Sequence, residues 1–247
     1  MTKQEKFMYE IIGKISNTNA PFVFKGALIT KLVLIEYGYT DIERATKDID
    51  ANWIGEPPQM ETLVETINKS LIDFQNELYA ETSREYTEEN TAGIKIIEKI
   101  TGEKIITMDI DIKPVNGSKI YYFGEMQIKG VLANEIIADK ISAISGKMVF
   151  RRAKDIVDIY ALSHCAEIKI TEIYNNSRKS GNEIKSFDEF YNRTADVEHA
   201  YKKLKNVEGK PDFDELYAYL KKFLQPFAEN DMKNKIWNSN ILTWNCI

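Results

Sequence analysis

The sequence contains few of the residues that mark a secreted, fibrous or membrane protein. Only two of its 247 residues are cysteines, Cys165 and Cys246, which excludes a disulfide framework and a cysteine-built zinc site. Glycine and proline are also scarce, at 12 and 6 residues, so the chain is neither collagen-like nor of low complexity. No apolar run reaches the roughly 18–20 residues that a membrane span needs. We therefore expect a globular, cytoplasmic protein without a membrane partner.

Positive charge is also in the minority. The chain has 33 Lys and Arg residues against 38 Asp and Glu residues, a formal net charge of −5 at pH 7. Proteins that coat nucleic acid neutralise phosphates with an excess of positive charge. The balance therefore argues against a bulk nucleic-acid coat, although it does not exclude an enzyme in which carboxylates are gathered at one metal-binding cleft.

The spacing of apolar residues predicts a mixed N-terminal part and a helical C-terminal part. Up to residue 130, the predicted helices cover 3–16, 27 to about 38, and 60–74, and the predicted strands cover 22–24, 47–53, 77–86, 94–100, 104–112 and 119–123. Further along, helices are predicted over 134–145, 151–164, 170–178, 187–201 and 213–227. We therefore predict an α+β fold with a mixed-sheet domain (1–130), a helical domain (131–230) and a C-terminal tail (231–247).

Two pairs of carboxylates fall within predicted strands. Asp48 and Asp50 flank Ile49, and Asp109 and Asp111 flank Ile110. Because strand side chains alternate between faces, both members of each pair point the same way. Carboxylates brought so close favour a bound divalent metal, and two such strands side by side would gather three or four of them around Mg²⁺. The alternative is that each pair forms the solvated face of an edge strand.

A glycine follows the first predicted strand, in the run Phe24-Lys25-Gly26-Ala27. Glycine at a strand-to-helix turn lets the backbone approach a ligand, and the N–H groups of the helix start favour phosphate. A plain tight turn is the alternative interpretation.

A third cluster of charges lies in the helical part. Lys140 follows Asp139, and Arg151, Lys154, Asp155 and Asp158 recur at helical spacing, which predicts a shared helix face. Such a face is typical of a cleft wall where cations meet a triphosphate and carboxylates orient them. Ordinary ion pairs between neighbouring helical turns are the alternative.

In this order, the three clusters resemble the AbiEii family of nucleotidyltransferase toxins, from abortive-infection (type IV) toxin–antitoxin pairs. The family pattern runs Lys-Gly-Gly after a strand, then a helix, then Arg-x-Ser/Thr-x-Asp-h-Asp, where h is apolar. Here it reads Lys25-Gly26-Ala27 and then Arg44-Ala45-Thr46-Lys47-Asp48-Ile49-Asp50. The later element, a Lys in an apolar helix and then Arg-x-x-Lys/Arg-Asp-h-h-Asp, matches Lys140 and the segment 151–158. Ala27 departs from the pattern, since the family usually has a second Gly or a Ser there.

The resemblance implies a nucleotidyltransferase of the polymerase-β-like superfamily that depends on Mg²⁺ or Mn²⁺. It implies that Asp48 and Asp50 hold the metal, and that Asp109 or Asp111 completes the site and orients an attacking hydroxyl. It also implies catalytic roles for Lys140 and Asp155. The implied nucleotide-binding residues are Lys25, Gly26, Ala27, Thr46, Lys140, Arg152, Lys154 and Asp158.

The implied partners are an NTP substrate, an RNA acceptor expected to be the 3′ end of tRNA, and a cognate antitoxin. We expect the helical domain to complete the NTP cleft and the chain to act as a monomer. Two alternatives remain open at this point. One is a non-catalytic NTP-binding or antitoxin-binding relative with a decayed site, which Ala27 favours. The other is a metal-dependent nuclease built on the same acidic residues.

Overall fold

The fold is described by a computed structural model that covers residues 1–74, 77–88, 90–231 and 233–246. The chain divides into two compact units. The first combines residues 1–32 with 45–131, and the second combines 33–44 with 132–247. The short segment 33–44 therefore belongs with the C-terminal helices although it lies within the N-terminal sequence.

The helices are α1 (Lys3–Ser16), α2 (Gly26–Glu36), α3 (Met60–Leu71), α4 (Ala133–Ile144), α5 (Ala153–Cys165), α6 (Ile170–Lys179), α7 (Asp188–Asn192), α8 (Thr194–Lys202) and α9 (Phe213–Ala228). The strands are β1 (Phe22–Lys25), β2 (Glu43–Arg44), β3 (Asp48–Trp53), β4 (Leu78–Arg84), β5 (Thr91–Glu98), β6 (Lys104–Asp111), β7 (Ser118–Phe123), β8 (Met126–Val131), β9 (Ile168–Lys169), β10 (Val207–Glu208), β11 (Lys235–Asn238) and β12 (Thr243–Cys246).

A seven-stranded mixed sheet forms the centre of the first unit. Its strand order is β4-β5-β6-β3-β1-β8-β7, and the central strands β3 and β6 run parallel. Alternate residues of these two strands are apolar and fully buried, as Ile49, Ala51, Met108 and Ile110 show. One face of the sheet thus packs into the hydrophobic core. The residues that alternate with these four, such as Asp50 and Asp109, point to the opposite face.

The helices of the first unit cover the apolar face of this sheet. Tyr9 of α1 stacks on Phe123 of β7 with ring centroids 4.3 Å apart, and Gly13 lies against Met126 of β8. Residues Leu63, Ile67 and Leu71 form the buried stripe of α3, which contacts both α1 and β4. This arrangement leaves the carboxylate-bearing face of the sheet without these helices.

The second unit is mainly helical, and it carries two small sheets as well. Strands β2 and β10 pair antiparallel, which ties the segment 33–44 to the helical unit. A hairpin of β11 and β12 pairs with β9 and buries Trp237 completely. The Trp237 indole donates a hydrogen bond of 2.7 Å to the carbonyl of Ser163. The C-terminal segment, predicted as a tail, therefore packs on α5 through Trp237.

The predicted α+β class is confirmed, with differences in individual elements. Strand β8 was not predicted, and the single helix predicted over 187–201 is two helices, α7 and α8, that break at Arg193. The helix predicted over 151–164 starts with a 3-10 turn, Val149–Arg152. Among the described residues, no helix is both long and apolar enough to cross a bilayer.

Candidate active site

Four carboxylates share one face of the central sheet, opposite the face that the helices of the first unit cover. In the parallel pairing of β3 with β6, Asp50 lies opposite Asp109, and the next pair on that face is Asn52 with Asp111. Asp48 occupies the preceding position of the same face, opposite Thr107. Paired residues of neighbouring strands point to the same face. The two Asp-x-Asp strands therefore lie side by side in the sheet.

Gly26 lies directly against the Asp50 carboxylate. Its φ is +68°, and a Cβ built on it would lie 2.0 Å from Asp50 Oδ2. Any other residue would collide with the carboxylate and would also be strained, because L side chains disfavour positive φ. The sequence suggested a phosphate-binding turn here. The structure shows that the turn forms the wall against which Asp50 packs.

Asp111 is held by residues from two other strands, Lys25 from β1 and Thr91 from the adjacent β5. Lys25 Nζ lies 2.6 Å from Asp111 Oδ2, and Thr91 Oγ1 donates a hydrogen bond of 2.8 Å to Asp111 Oδ1. Burial by itself would raise the pKa of Asp111, but the ammonium of Lys25 outweighs it and holds the pKa below its ordinary value. Asp111 is therefore a carboxylate whose charge is already neutralised.

Asp109 forms an ion pair with a different and more exposed cation. Arg84 Nη2 of β4 lies 2.8 Å from Asp109 Oδ1, and both side chains are close to half exposed. Sequence reasoning missed Arg84 and Thr91. They lie on β4 and β5, and no spacing along the chain connects them with Asp109 or Asp111.

The carboxylates on this face are the type of ligand that binds a hard divalent cation. Asp48, Asp50 and Asp109 provide carboxylate oxygens on one face of two adjacent strands, and carboxylate oxygens are the ligands that Mg²⁺ and Mn²⁺ prefer. Within the described ranges, no three His, Cys, Asp or Glu side chains converge on one point. Asp109 and Asp111 instead contact Arg84 and Lys25, so a metal-bound state requires these side chains to turn.

Asn52 is a polar residue of this face that sequence reasoning missed. It is 4% exposed, and its amide oxygen has no hydrogen-bond partner among the described residues. The signal was present in the sequence, because Asn52 continues the alternation that begins with Asp48 and Asp50.

The segment that leads into β3 is anchored by a buried acid. Glu5 of α1 is fully buried, and its Oε1 accepts hydrogen bonds from Lys31 Nζ at 3.1 Å and from the Thr46 backbone N–H at 3.3 Å. Glu5 also forms a capping box with Thr2. Glu5 therefore holds the Thr46 backbone in place, and with it the segment that leads into β3. Glu5 was not predicted as a site residue, although the Thr-x-x-Glu spacing at the start of α1 was its signal.

The second unit contains a buried network of four charged side chains. Lys140 Nζ lies 2.6 Å from Asp158 Oδ2 and 3.1 Å from Asp155 Oδ1. The Arg44 guanidinium donates two hydrogen bonds, of 2.8 and 2.7 Å, to the Asp158 carboxylate. Arg44 belongs to the sequence motif that precedes Asp48, but its contact with Asp158 was not predicted, because the two residues lie far apart in the chain.

Burial and pairing compete in this network. Burial would raise the pKa of Asp158, but Lys140 and Arg44 hold it below its ordinary value. Burial would likewise lower the pKa of Lys140, but Asp158 and Asp155 raise it. Both groups therefore remain charged at neutral pH.

The remaining cations of the third cluster face solvent. Arg152 and Lys154 are exposed, and the Arg152 guanidinium approaches Asp155 only to 3.8 Å. Arg151 is exposed on the 3-10 turn. The shared face predicted for Arg151, Lys154, Asp155 and Asp158 is therefore not formed, because the acids turn inward and the cations outward. Of the residues in the first motif, Ala27 is half-buried in the first turn of α2.

Solved structures match the chain over most of its length, and the first of them shows a similar fold. JHP933 from Helicobacter pylori matches with a TM-score of 0.57 and 16% identity, covering 93% of this chain and 94% of that one. The nucleotidyltransferase toxin MenT4 from Mycobacterium tuberculosis matches with a TM-score of 0.47 and 12% identity, covering 92% of this chain and 90% of that one. No curated protein sequence matches the chain.

The family comparison covers most of the sequence. The model of the nucleotidyl transferase AbiEii toxins of type IV toxin–antitoxin systems matches residues 11–237, a range that covers most of both units and includes all three motif clusters. The resemblance drawn from the motifs is thereby confirmed: the chain belongs to the AbiEii family of nucleotidyltransferase toxins.

Proposed function

We propose that the protein transfers a nucleoside monophosphate from an NTP to the 3′ end of tRNA and acts as the toxin of a toxin–antitoxin pair. The observation that carries the proposal is the pairing of Asp50 with Asp109 on one sheet face, with Gly26 packed against Asp50. Family membership supports the transferase class, a nucleotide substrate and a cognate antitoxin. The proposal implies a cytoplasmic location, because NTPs and tRNA are found there.

The proposed cofactor is Mg²⁺ or Mn²⁺, held by Asp48, Asp50 and Asp109. When bound, such a cation stabilises negative charge on the attacking and leaving oxygens during displacement at the α-phosphorus. Other residues of the chain hold these carboxylates in position. Gly26 fixes the Asp50 carboxylate, and Glu5 fixes the start of β3 through Thr46.

Register favours Asp109 over Asp111 as the third carboxylate. Asp109 is directly opposite Asp50, whereas Asp111 lies one pair further along and is neutralised by Lys25. We assign Asp109 the role of orienting the attacking hydroxyl. Asp111 then acts as a positioning residue that holds the Lys25 ammonium until a phosphate binds it.

The second unit is proposed to supply the triphosphate-binding residues. Arg152 and Lys154 are exposed cations suited to phosphate oxygens, and Lys140 is held in a fixed position by Asp155 and Asp158. Arg44 positions Asp158 in turn. In this proposal, the buried network sets the position of the cation and the exposed residues provide adaptable contacts.

A transfer assay tests the function. Purified protein is incubated with total tRNA, Mg²⁺ and each labelled NTP in turn, and the RNA is resolved by length. We expect labelled, lengthened RNA with the wild type and none with Asp50→Asn or Asp109→Asn. Asp73→Asn is the matched control, because Asp73 belongs to the same unit and its side chain is 86% exposed.

Each alternative has its own outcome in this assay. Shortened RNA would support a metal-dependent nuclease. Absence of label with every NTP, together with identical behaviour of the wild type and Asp50→Asn, would support a non-catalytic relative with a decayed site.

A further inference from the structure

The amide oxygen of Asn52 is buried in the carboxylate-bearing face without a partner among the described residues. Asn52 itself is 4% exposed. An unpaired buried polar atom costs free energy, and native structures keep few of them. A ligand that donates a hydrogen bond to this oxygen would remove the cost, so the position points to a bound molecule.

The surroundings of Asn52 distinguish between a cation and a hydrogen-bond donor as that ligand. Its partner in register on β1 is the buried Val23, and its partner on β6 is Asp111, whose charge is already balanced by Lys25 at 2.6 Å. A second cation at this pair would therefore gain little. The pair instead presents amide and carboxylate oxygens, which are acceptors suited to hydroxyl groups.

The Lys25–Asp111 ion pair crosses β3 between the level of Asp50 and the level of Asn52. Lys25 is opposite Asp50 on one side of β3, and Asp111 is opposite Asn52 on the other side. Because their charged ends meet, the Lys25 side chain must span β3 on this face. Movement of the Lys25 ammonium to a phosphate would uncover the Asn52 amide oxygen.

We propose that Asn52 binds a ribose hydroxyl next to the reacting phosphate; this inference rests on the proposed nucleotidyltransferase function. Asn52 lies two residues beyond Asp50 along the strand, about 6.6 Å at ~3.3 Å per residue. That distance is comparable to the separation between a nucleotide's phosphorus and its ribose hydroxyls. The ribose belongs either to the incoming NTP or to the 3′-terminal nucleotide of the acceptor, which share this chemistry.

Binding measurements with and without the hydroxyl test the inference. Each of the four NTPs is titrated with Mg²⁺ into the wild type by calorimetry, followed by the 2′-deoxy and 3′-deoxy forms of the one that binds most tightly. An RNA oligonucleotide ending in ribose is compared with the same oligonucleotide ending in 2′-deoxyribose or 3′-deoxyribose by fluorescence anisotropy. The set is repeated with Asn52→Leu, which has similar volume and no acceptor, and with Asn52→Asp, which keeps one.

We expect removal of one hydroxyl to weaken binding to the wild type roughly three- to tenfold, as for one neutral hydrogen bond. In Asn52→Leu this discrimination should disappear, and in Asn52→Asp it should persist. The melting temperature of Asn52→Leu should not fall, since the substitution removes an unpaired buried group. The ligand that shows the effect, NTP or oligonucleotide, identifies the source of the ribose.

Two results would contradict the inference, and they differ in what else they overturn. If NTP binds but the wild type and Asn52→Leu discriminate equally, or neither discriminates with either ligand, then Asn52 does not contact a ribose hydroxyl and the proposed function stands. If the wild type binds no NTP and transfers no label, the proposed function fails and this inference fails with it.

Discussion

A methyl group on Gly26 would occupy the space of the Asp50 carboxylate, since its carbon would lie 2.0 Å from Oδ2. Gly26→Ala should therefore displace Asp50 and reduce nucleotide transfer by about 100-fold or more. Gly38→Ala is the matched control, because Gly38 has nearly the same φ, +69°, but nothing within 4 Å of its added carbon. Both substitutions should cost about 1 kcal/mol of stability from positive φ, and only Gly26→Ala should lose activity. Equal activity of the two variants in the transfer assay would contradict the packing argument.

The two β6 carboxylates are expected to differ in their effect on transfer. Asp109→Asn removes a proposed metal ligand and should lower the rate by about 100-fold or more. Asp111→Asn releases Lys25 without removing a ligand, so its loss should be nearer tenfold, as for supporting residues of a metal site. The comparison is made by single-turnover transfer and by Mn²⁺ titration, in which only Asp109→Asn should weaken metal binding. The reverse order of effects would assign the third carboxylate to Asp111.

Local sequence is enough to predict some of these residues and not others. The shared face of Asp48 and Asp50 follows from strand alternation, which depends only on neighbouring residues. The approach of Gly26 to Asp50 depends on the register between β1 and β3, and Arg84 reaches Asp109 only because β4, β5 and β6 pair. Such contacts between distant parts of the chain leave no pattern in a single sequence.

At the level of elements, α4 and α5 are joined by the buried pair of Lys140 and Asp158. Asp158→Asn leaves Lys140 and Arg44 with an uncompensated buried charge, so it should cost about 3–5 kcal/mol of unfolding free energy. Glu198→Gln is the control, because its partner Lys202 is exposed and the change should have no measurable effect. Urea denaturation followed by circular dichroism provides the comparison, and similar midpoints for both variants would contradict the role of the network.

The same network predicts a pH dependence. The folded-state pKa of Asp158 lies below its ordinary value of 3.8, so its contribution to stability is present above about pH 3.8 and is lost as the pH falls further. The wild type should lose more stability than Asp158→Asn between about pH 4 and pH 2. Thermal melts across that range measure the difference, and parallel pH profiles for the two proteins would show that Asp158 is not responsible.

The elements that were not predicted also have physical reasons. Strand β8 is short, and Gly124 before it and Gly130 within it are typical of a loop, although residues 126–129 alternate between apolar and polar. The strand forms because β1 and β7 offer it hydrogen-bonding partners on both sides. Short strands such as β2 and β9 similarly depend on partners elsewhere in the chain rather than on their own propensity.

At the scale of the whole molecule, the C-terminal hairpin contributes to the core of the second unit. Trp237 is fully buried among Phe223, Tyr219 and Trp244, with its indole bonded to Ser163. Trp237→Ala should therefore cost about 3–5 kcal/mol, whereas Ile241→Ala, at a position 61% exposed, should be close to neutral. Differential scanning calorimetry compares them, and equal melting temperatures would show that the hairpin does not stabilise the unit.

The net charge of −5 acquires a specific meaning at this scale. Part of the negative charge is concentrated at the sheet face of Asp48, Asp50 and Asp109, where a divalent cation is proposed to bind. Overall composition therefore argues against a nucleic-acid coat, but it does not bear on an enzyme that acts on one RNA end.

Nucleotide transfer with differently labelled NTPs tests the central claim most directly. Wild-type protein, tRNA and Mg²⁺ are incubated with NTP labelled at the α-phosphate or at the γ-phosphate, beside Asp50→Asn and the control Asp73→Asn. We predict that α-label enters the tRNA with the wild type and Asp73→Asn, that γ-label does not, and that Asp50→Asn transfers neither. Retention of the γ-label in RNA, or α-label transfer unaffected by Asp50→Asn, would contradict a nucleotidyltransferase centred on this pair of carboxylate strands.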